Sequence, residues 1–313
     1  MKNVPMRDGY GKALLELCEK DKSVMVLDAD VANSTRTAWI KDKYPEQFLD
    51  MGISEQDLVG TAAGLALSDM KPFVSTYCVF LAGRAWDQIR TTVCYNHLNV
   101  KFGGAHAGIS VGPDGATHQA LEDVALTRVL PGMTVIVPCD AEETRKATLA
   151  IAEIDGPCFV RFGREAVPVV TDENTPFEIG KVRPVREGTD VTVFANGAMV
   201  YEAEKAAEEL AKEGISVAVA DLHTIKPLDT AAVEEAAKKT GCIVTAEEHQ
   251  MYGGMGSAVA EYLAKTCPVP MEFVAVEDSF GESGQPAELM EKYGLTSDAI
   301  IGKIRKVLER KNA

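Results

Sequence analysis

The sequence predicts an α/β protein built from two doubly wound domains. Two observations lead there. Short β-branched or apolar runs alternate with longer amphipathic segments, the pattern of βαβ units and a parallel sheet. The alternation stops once and resumes, and 313 residues give room for about two domains at the usual ~100–200 residues each. The predicted plan is a first domain over 1–165, a linker over 166–189 and a smaller second α/β domain over 190–313.

In the first domain, residues 23–30 (SVMVLDAD), 71–77 (KPFVSTY), 98–105 (LNVKFGGA), 133–139 (MTVIVPC) and 157–163 (PCFVRFG) read as buried strands. Residues 140–154 read as a helix, with Asp140 as its cap and Glu143 completing a capping box. The linker carries Pro168, Pro176 and Pro184 among mixed charges. In the second domain, residues 190–197, 215–222, 241–248 and 271–278 read as strands, and the segment from Ala198 as a helix closed by Gly214. The stretch YGGMGSAVAE reads as a glycine-rich helix start. It lacks the lysine and spacing of a P-loop, so close packing is the simpler explanation.

Apolar residues make up 46% and charged residues 25%, as in ordinary globular proteins. A formal charge of −15 disfavours non-specific binding to nucleic acid or anionic membranes, while leaving room for a local basic pocket. Seven cysteines stand singly, without a C-x-x-C pair, which suggests buried free thiols in a reducing cytoplasm. No run approaches the ~18 apolar residues of a membrane span, and no secretory signal is evident.

Three segments carry candidate chemistry. In DMGISEQDLVGTAAGLAL, Ser54 is placed to cap a helix, with Asp57 at the capping-box position, and Glu55 falls in the first turn. Compensation of the helix dipole explains Glu55 without any function. In STYCVFLAGRAWDQIRTTV, Tyr77 and Phe80 could stack on a flat heterocycle or simply pack in the core. In HAGISVGPDGATHQALED, two of the chain's five histidines, His106 and His118, flank a Gly-Pro-Asp-Gly turn. Histidine suits proton transfer and anion binding near neutrality. An active-site loop, structural histidines and a metal site all remain open, although no third ligand stands at a usual zinc spacing.

Taken together, MGISEQDLVGTAAGLAL, STYCVFLAGRAWDQ and HAGISVGPDGATHQALEDVALTRVLPGMTVIVPCDAEETR resemble the pyrimidine-binding domain of transketolase-like, thiamine-diphosphate-dependent enzymes. The segments GTDVTVFANGAMV, LHTIKPLD and EEHQMYGGMGSAVAE resemble their C-terminal domain. A full transketolase starts with a further domain, which binds the cofactor's diphosphate through Mg²⁺ and a G-D-G…N motif. No such motif occurs in this sequence. The resemblance therefore implies the C-terminal subunit of a split transketolase, with the diphosphate and Mg²⁺ held by a separate N-terminal subunit in an α2β2 assembly.

The resemblance also implies roles. Glu55 corresponds to the glutamate that hydrogen-bonds the aminopyrimidine and favours its imino tautomer. Phe80 and Tyr77 match the aromatic wall against that ring, and Asp30 an aspartate lining the cofactor region. His118 matches the histidine at the donor's carbonyl and hydroxyl oxygens, and Asp114 the aspartate that reads a sugar hydroxyl. Arg7, Ser34, His106 and Arg161 match residues that hold the substrate phosphate, with Arg164 a substitute for Arg161. No metal ligand is assigned to this chain. Gly83 stands where many transketolases place another aromatic residue. The implied reaction moves a two-carbon ketol unit from a ketose phosphate to an aldose phosphate. The alternatives are a β-type subunit of a 2-oxo-acid dehydrogenase, a 1-deoxyxylulose-5-phosphate synthase-like enzyme, and a non-catalytic scaffold that kept the fold.

Overall fold

The computed structural model describes residues 2–313. The first domain and the segment after it contain β1 (Asn3–Pro5), β2 (Val24–Asp28), β3 (Phe48–Asp50), β4 (Lys71–Tyr77), β5 (Lys101–Ala105), β6 (Thr134–Ile136), β7 (Cys158–Arg161) and β8 (Ala166–Pro168). The remainder contains β9 (Arg183–Arg186), β10 (Val191–Ala195), β11 (Val217–Asp221), β12 (Thr224–Lys226), β13 (Ile243–Gln250) and β14 (Met271–Val276). Every strand expected from the sequence is present, with β13 running on to Gln250. β3 ends at Asp50, at the strand end that the segment before the Glu55 helix suggests, although its three residues are too short to show a period of their own.

The large sheet has the order β12-β6-β7-β5-β4-β2-β3, and every pairing in it is parallel except β12 with β6. β2 is followed in the chain by β3 on one side and by β4 on the other. That reversal is a topological switch point, where open α/β sheets place their ligand crevices. The second sheet has the order β14-β13-β10-β11-β9, parallel except for β9.

The predicted linker is more ordered than its prolines suggest. β8 pairs antiparallel with β1, and β9 closes the edge of the second sheet. Pro184 sits in this edge strand, where a missing N–H is tolerated. The domains are also less separate than predicted. β12 leaves the second domain to pair with the first domain's edge strand. One continuous core joins Leu58, Val74 and Phe102 to Phe194, Leu222 and Met255.

Helix ends follow the sequence in part. Asp140 caps the Ala141–Ile151 helix by accepting from the Glu143 N–H, and Glu143 reaches back to the Cys139 N–H at 2.7 Å. Ser54 stands at the N-cap of the Glu55–Ala66 helix, but its side chain makes no capping bond, so the expected capping box does not form. At the Met255–Thr266 helix, the Glu247 carboxylate accepts from the Met255 and Gly256 N–H groups at 2.7 and 2.8 Å. A Cβ on Gly254 would lie 2.3 Å from that carboxylate, so this glycine-rich start serves close packing. All seven cysteines are free, and no helix among the described residues is long and apolar enough to cross a membrane.

Between the domains, Cys139, Glu143 and Asp221 bring their ligand atoms within 4.8 Å of one another. The centre of this group is already cationic. Arg183 donates to Asp221 at 2.8 Å, and its Nε lies 3.5 Å from Glu143. Burial and the facing Glu143 push the Asp221 carboxyl well above the usual range. Replacing Arg183 by Met removes the cation from two buried acids. Stability should fall by roughly 3–5 kcal/mol in a single cooperative urea transition followed by circular dichroism. A loss under about 1 kcal/mol would contradict a structural role for this pair.

Candidate active site

Parallel pairing sets the geometry of the site. β2, β3, β4, β5 and β7 all point the same way, so the segments that follow them emerge along one ridge. Asp30 and Ser34 follow β2, Glu55 follows β3, Phe80 follows β4, His106 follows β5 and Arg164 follows β7. Tyr77 is the last residue of β4. Arg7 arrives separately, on the Met6–Lys20 helix.

Apart from Asp30 and Arg164, these residues are linked in a run of contacts that Arg84 completes. Arg7 donates to the Ser34 carbonyl at 3.2 Å, and the Tyr77 hydroxyl donates to Ser34 Oγ at 3.1 Å. The Tyr77 ring lies 4.4 Å from the ring of His106 and 6.0 Å from that of His118. His118 meets Phe80 edge-on at 5.2 Å, and Thr117 Oγ1 stands 2.9 Å from its Nδ1. Arg84 lies over the Phe80 ring at 4.7 Å and donates to Glu55 Oε2 at 2.7 Å. Glu55 is 2% exposed, whereas the Arg84 side chain is 49% exposed. The acid therefore sits in an ion pair, but the pair lies against the aromatic wall.

The sequence did not single out Arg84. Its signal was the flat, cationic side chain four residues after Phe80, on the same helical face. Gly83 is exposed with nothing within 4 Å of a built Cβ, so the wall is open on that side.

Arg161 is not at the ridge. Its guanidinium is buried, donating to Asp123 at 2.8 Å and to the Glu248 and Ala120 carbonyls at 2.7 and 3.2 Å. A buried carboxylate and two carbonyls hold its Nε and Nη2, and the side chain is 5% exposed, which ties it to the join between the domains. Arg164 meets the turn between the two histidines. Part-exposed, it donates to the Val111 carbonyl at 2.9 Å and stands 3.7 Å from Asp114. Asp114 is solvent-facing at the turn between the two histidines. Asp30 is exposed with φ 60°, and only its N–H is fixed, to Asp50.

A neighbour that the sequence reading passed over holds this corner. The buried Asp28 carboxylate accepts from the Val31 N–H and from the Thr35 and Thr37 hydroxyls at 2.7–2.8 Å. Burial pushes its carboxyl up to about 6. It pins the turn that presents Ser34 and Arg36.

Three arginines, Arg7, Arg36 and Arg164, gather at this end, two of them beside acids: Arg36 donates to Asp8 at 2.7 Å and Arg164 stands 3.7 Å from Asp114. Burial lowers the Arg7 guanidinium, and Arg36 and Arg164 lower it further. Burial, with Arg7, Arg164, His118 and Arg36 adding to it, pushes the His106 imidazole down to about 3. His106 is 2% exposed, has φ 57°, and its Nδ1 has no hydrogen-bond partner. A buried, unpartnered nitrogen beside two arginines is a place prepared for a polar or anionic group.

Comparison with known proteins identifies the two domains. Residues 2–170 match the transketolase pyrimidine-binding domain, and residues 180–300 match the transketolase C-terminal domain. The chain belongs to the transketolase family. It is 43% identical over 98% of its length, and 95% of the relative's, to a 6-deoxy-6-sulfo-D-fructose transketolase subunit from a Clostridium species. It is 38% identical to an apulose-4-phosphate transketolase subunit of Phocaeicola vulgatus, covering 95% of each chain. Against mouse transketolase it is 37% identical and spans 49% of that protein. A solved split-gene transketolase, described as an inactive β4 tetramer, superposes with a TM-score of 0.93 at 47% identity, covering 98% of this chain and 99% of that one.

The family uses thiamine diphosphate, and the residues fit its ring. Arg84 already satisfies the two demands such a ring would make: a flat group on Phe80 and an N–H donor to Glu55.

The state of His106 can be checked directly. Its NMR titration should show a neutral ring down to about pH 4, and a midpoint near 6.5 would contradict the burial described. The unfolded histidine protonates near its ordinary value and the folded one only near 3. The native state should therefore lose stability as pH falls through that window, and His106→Asn should lessen this loss.

Proposed function

We propose that the chain is the C-terminal subunit of a two-chain transketolase that moves a two-carbon ketol unit from a ketose phosphate to an aldose phosphate. Thiamine diphosphate is the cofactor, shared with a separate N-terminal subunit that holds its diphosphate and Mg²⁺. The observation that supports this reading is the run of contacts from Arg7 through Ser34, Tyr77, the two histidines and Phe80 to Glu55. An anion-binding end and an aromatic, carboxylate-bearing end lie on one ridge.

When bound, the cofactor supplies the nucleophilic carbon and the electron sink for cleaving and remaking the carbon–carbon bond. Glu55 accepts a hydrogen bond from the pyrimidine ring and fixes its tautomer. Phe80 and Tyr77 form the wall against which the ring is oriented. His118 faces the sugar's carbonyl and hydroxyl oxygens and moves a proton there. Asp114 accepts a bond from a sugar hydroxyl. Arg7, Arg164, Ser34 and His106 hold the terminal anion, the arginines by charge-assisted bonds. That grouping favours ketol transfer between sugar phosphates over dehydrogenation of a 2-oxo acid, whose substrate carries no phosphate. The relatives named for sulfofructose and apulose phosphate also fit a donor with a terminal tetrahedral anion.

The test is an assay with thiamine diphosphate, Mg²⁺, a ketose phosphate and an aldose phosphate, with and without the N-terminal partner. Turnover is expected only with the partner, and robust turnover by this chain alone would overturn the two-chain reading. In the assembled enzyme, Glu55→Ala should lower kcat by roughly 10²–10⁴-fold. Arg164→Met should mainly raise KM for the phosphorylated donor, by about 10–100-fold for the loss of one charge-assisted bond.

A further inference from the structure

The loop from His106 to His118 does not stand on the first domain alone. Its base is closed locally, by a bridge between Ala107 and Ala120 and by the Gly108 N–H on the Ala120 carbonyl. Above that base the loop leans on the second domain. Glu248, in β13, accepts from the Ser110 N–H through its Oε1 at 2.6 Å. A Cβ on Gly108 would lie 2.2 Å from that same oxygen, so glycine there, at φ 89°, is what lets the carboxylate reach the loop. On the far side, Gln119 donates to the Ile109 carbonyl within the loop at 3.0 Å and to the Glu282 carbonyl of the second domain at 2.9 Å. Arg161 completes the join, binding the Ala120 and Glu248 carbonyls together.

We infer that the second domain sets the position of the two loop histidines, with Glu248 as the positioning residue that ties the loop's first turn to β13. This inference rests on the ketol-transfer reading for its kinetic consequence. Its geometric part stands on the contacts alone. Glu248 reaches the histidine loop through Ser110, whereas Glu55 is held from elsewhere, by Arg84, and Phe80 lies under Arg84 and meets the loop only at the edge of His118. Its loss should disturb the histidine end of the ridge and spare the ring end. A shift of about 1 Å at reacting groups can cost roughly 10²-fold in rate.

The experiment compares Glu248→Ala and Glu248→Gln with the unaltered protein. In the chain itself, hydrogen exchange over residues 106–118 should quicken at least about tenfold in Glu248→Ala. It should stay within about threefold in Glu248→Gln, whose amide oxygen can still accept from Ser110. In the assembled two-chain enzyme, Glu248→Ala should lower kcat/KM by about 10–100-fold with thiamine diphosphate affinity unchanged, and Glu248→Gln should recover most of it.

Unchanged exchange in a folded Glu248→Ala, or a Gln variant as impaired as the Ala variant, would overturn the inference. So would a loss of cofactor affinity equal to the loss of turnover, because that would mark Glu248 as a general structural residue. If the unaltered assembled enzyme fails to turn over sugar phosphates, the ketol-transfer reading fails, and the exchange measurement still decides the role of Glu248.

Discussion

The site depends on one constraint, the parallel pairing of β2 with β3 and β4 and of β5 with β4 and β7. Parallel strands in register end on the same edge, so residues more than a hundred positions apart in the chain meet without a dedicated scaffold. Glu55 and Arg164 are brought to one ridge because each lies in the segment after a strand. The reversal of strand order beside β2 opens the crevice there. A register slip would turn Tyr77 from the ridge into the sheet's face and separate it from Ser34 and His106.

On this frame, electrostatics divides the ridge into two ends. One end gathers Arg7, Arg36 and Arg164 around a neutral, buried His106, in a chain of net charge −15. Acids balance part of that charge, with Asp8 on Arg36 at 2.7 Å and Asp114 3.7 Å from Arg164, so the buried, unpartnered His106 Nδ1 marks the opening for an anion. The other end holds a single buried carboxylate, and Arg84 balances it without burying itself. The exposed arginine can swing into solvent, but only when another donor takes its place on the buried acid, because an unpaired buried carboxylate is costly.

Much of this was legible in the sequence, and the gaps have physical causes. The strands were visible because buried parallel strands are continuous apolar runs. The roles expected of Glu55, Phe80 and the two histidines came from a resemblance that covers both domains, and the structure links these residues through Arg84 and Tyr77. Arg161 was assigned to the substrate by the resemblance, and a strand-end arginine looks the same in sequence whether it faces solvent or pairs, as here, with the buried Asp123. Arg164, three residues on, has left the strand and reaches the ridge. Ser54 looked like a helix cap, but a preference for serine at that position does not ensure that its hydroxyl bonds. The contribution of β12 to the first sheet, and of Glu248 to the histidine loop, was invisible because contacts across more than eighty residues leave no local period.

The central claim is that this ridge is half of a thiamine site, with Glu55 and Phe80 at one end and the arginine-histidine group at the other. A crystal structure of the two-chain complex with thiamine diphosphate and a ketose phosphate tests it most directly. A Glu55 oxygen on a pyrimidine nitrogen, Phe80 against the ring and the sugar phosphate beside Arg7, Arg164 and His106 would bear it out. A ring bound elsewhere, with Glu55 remote from it, would contradict it.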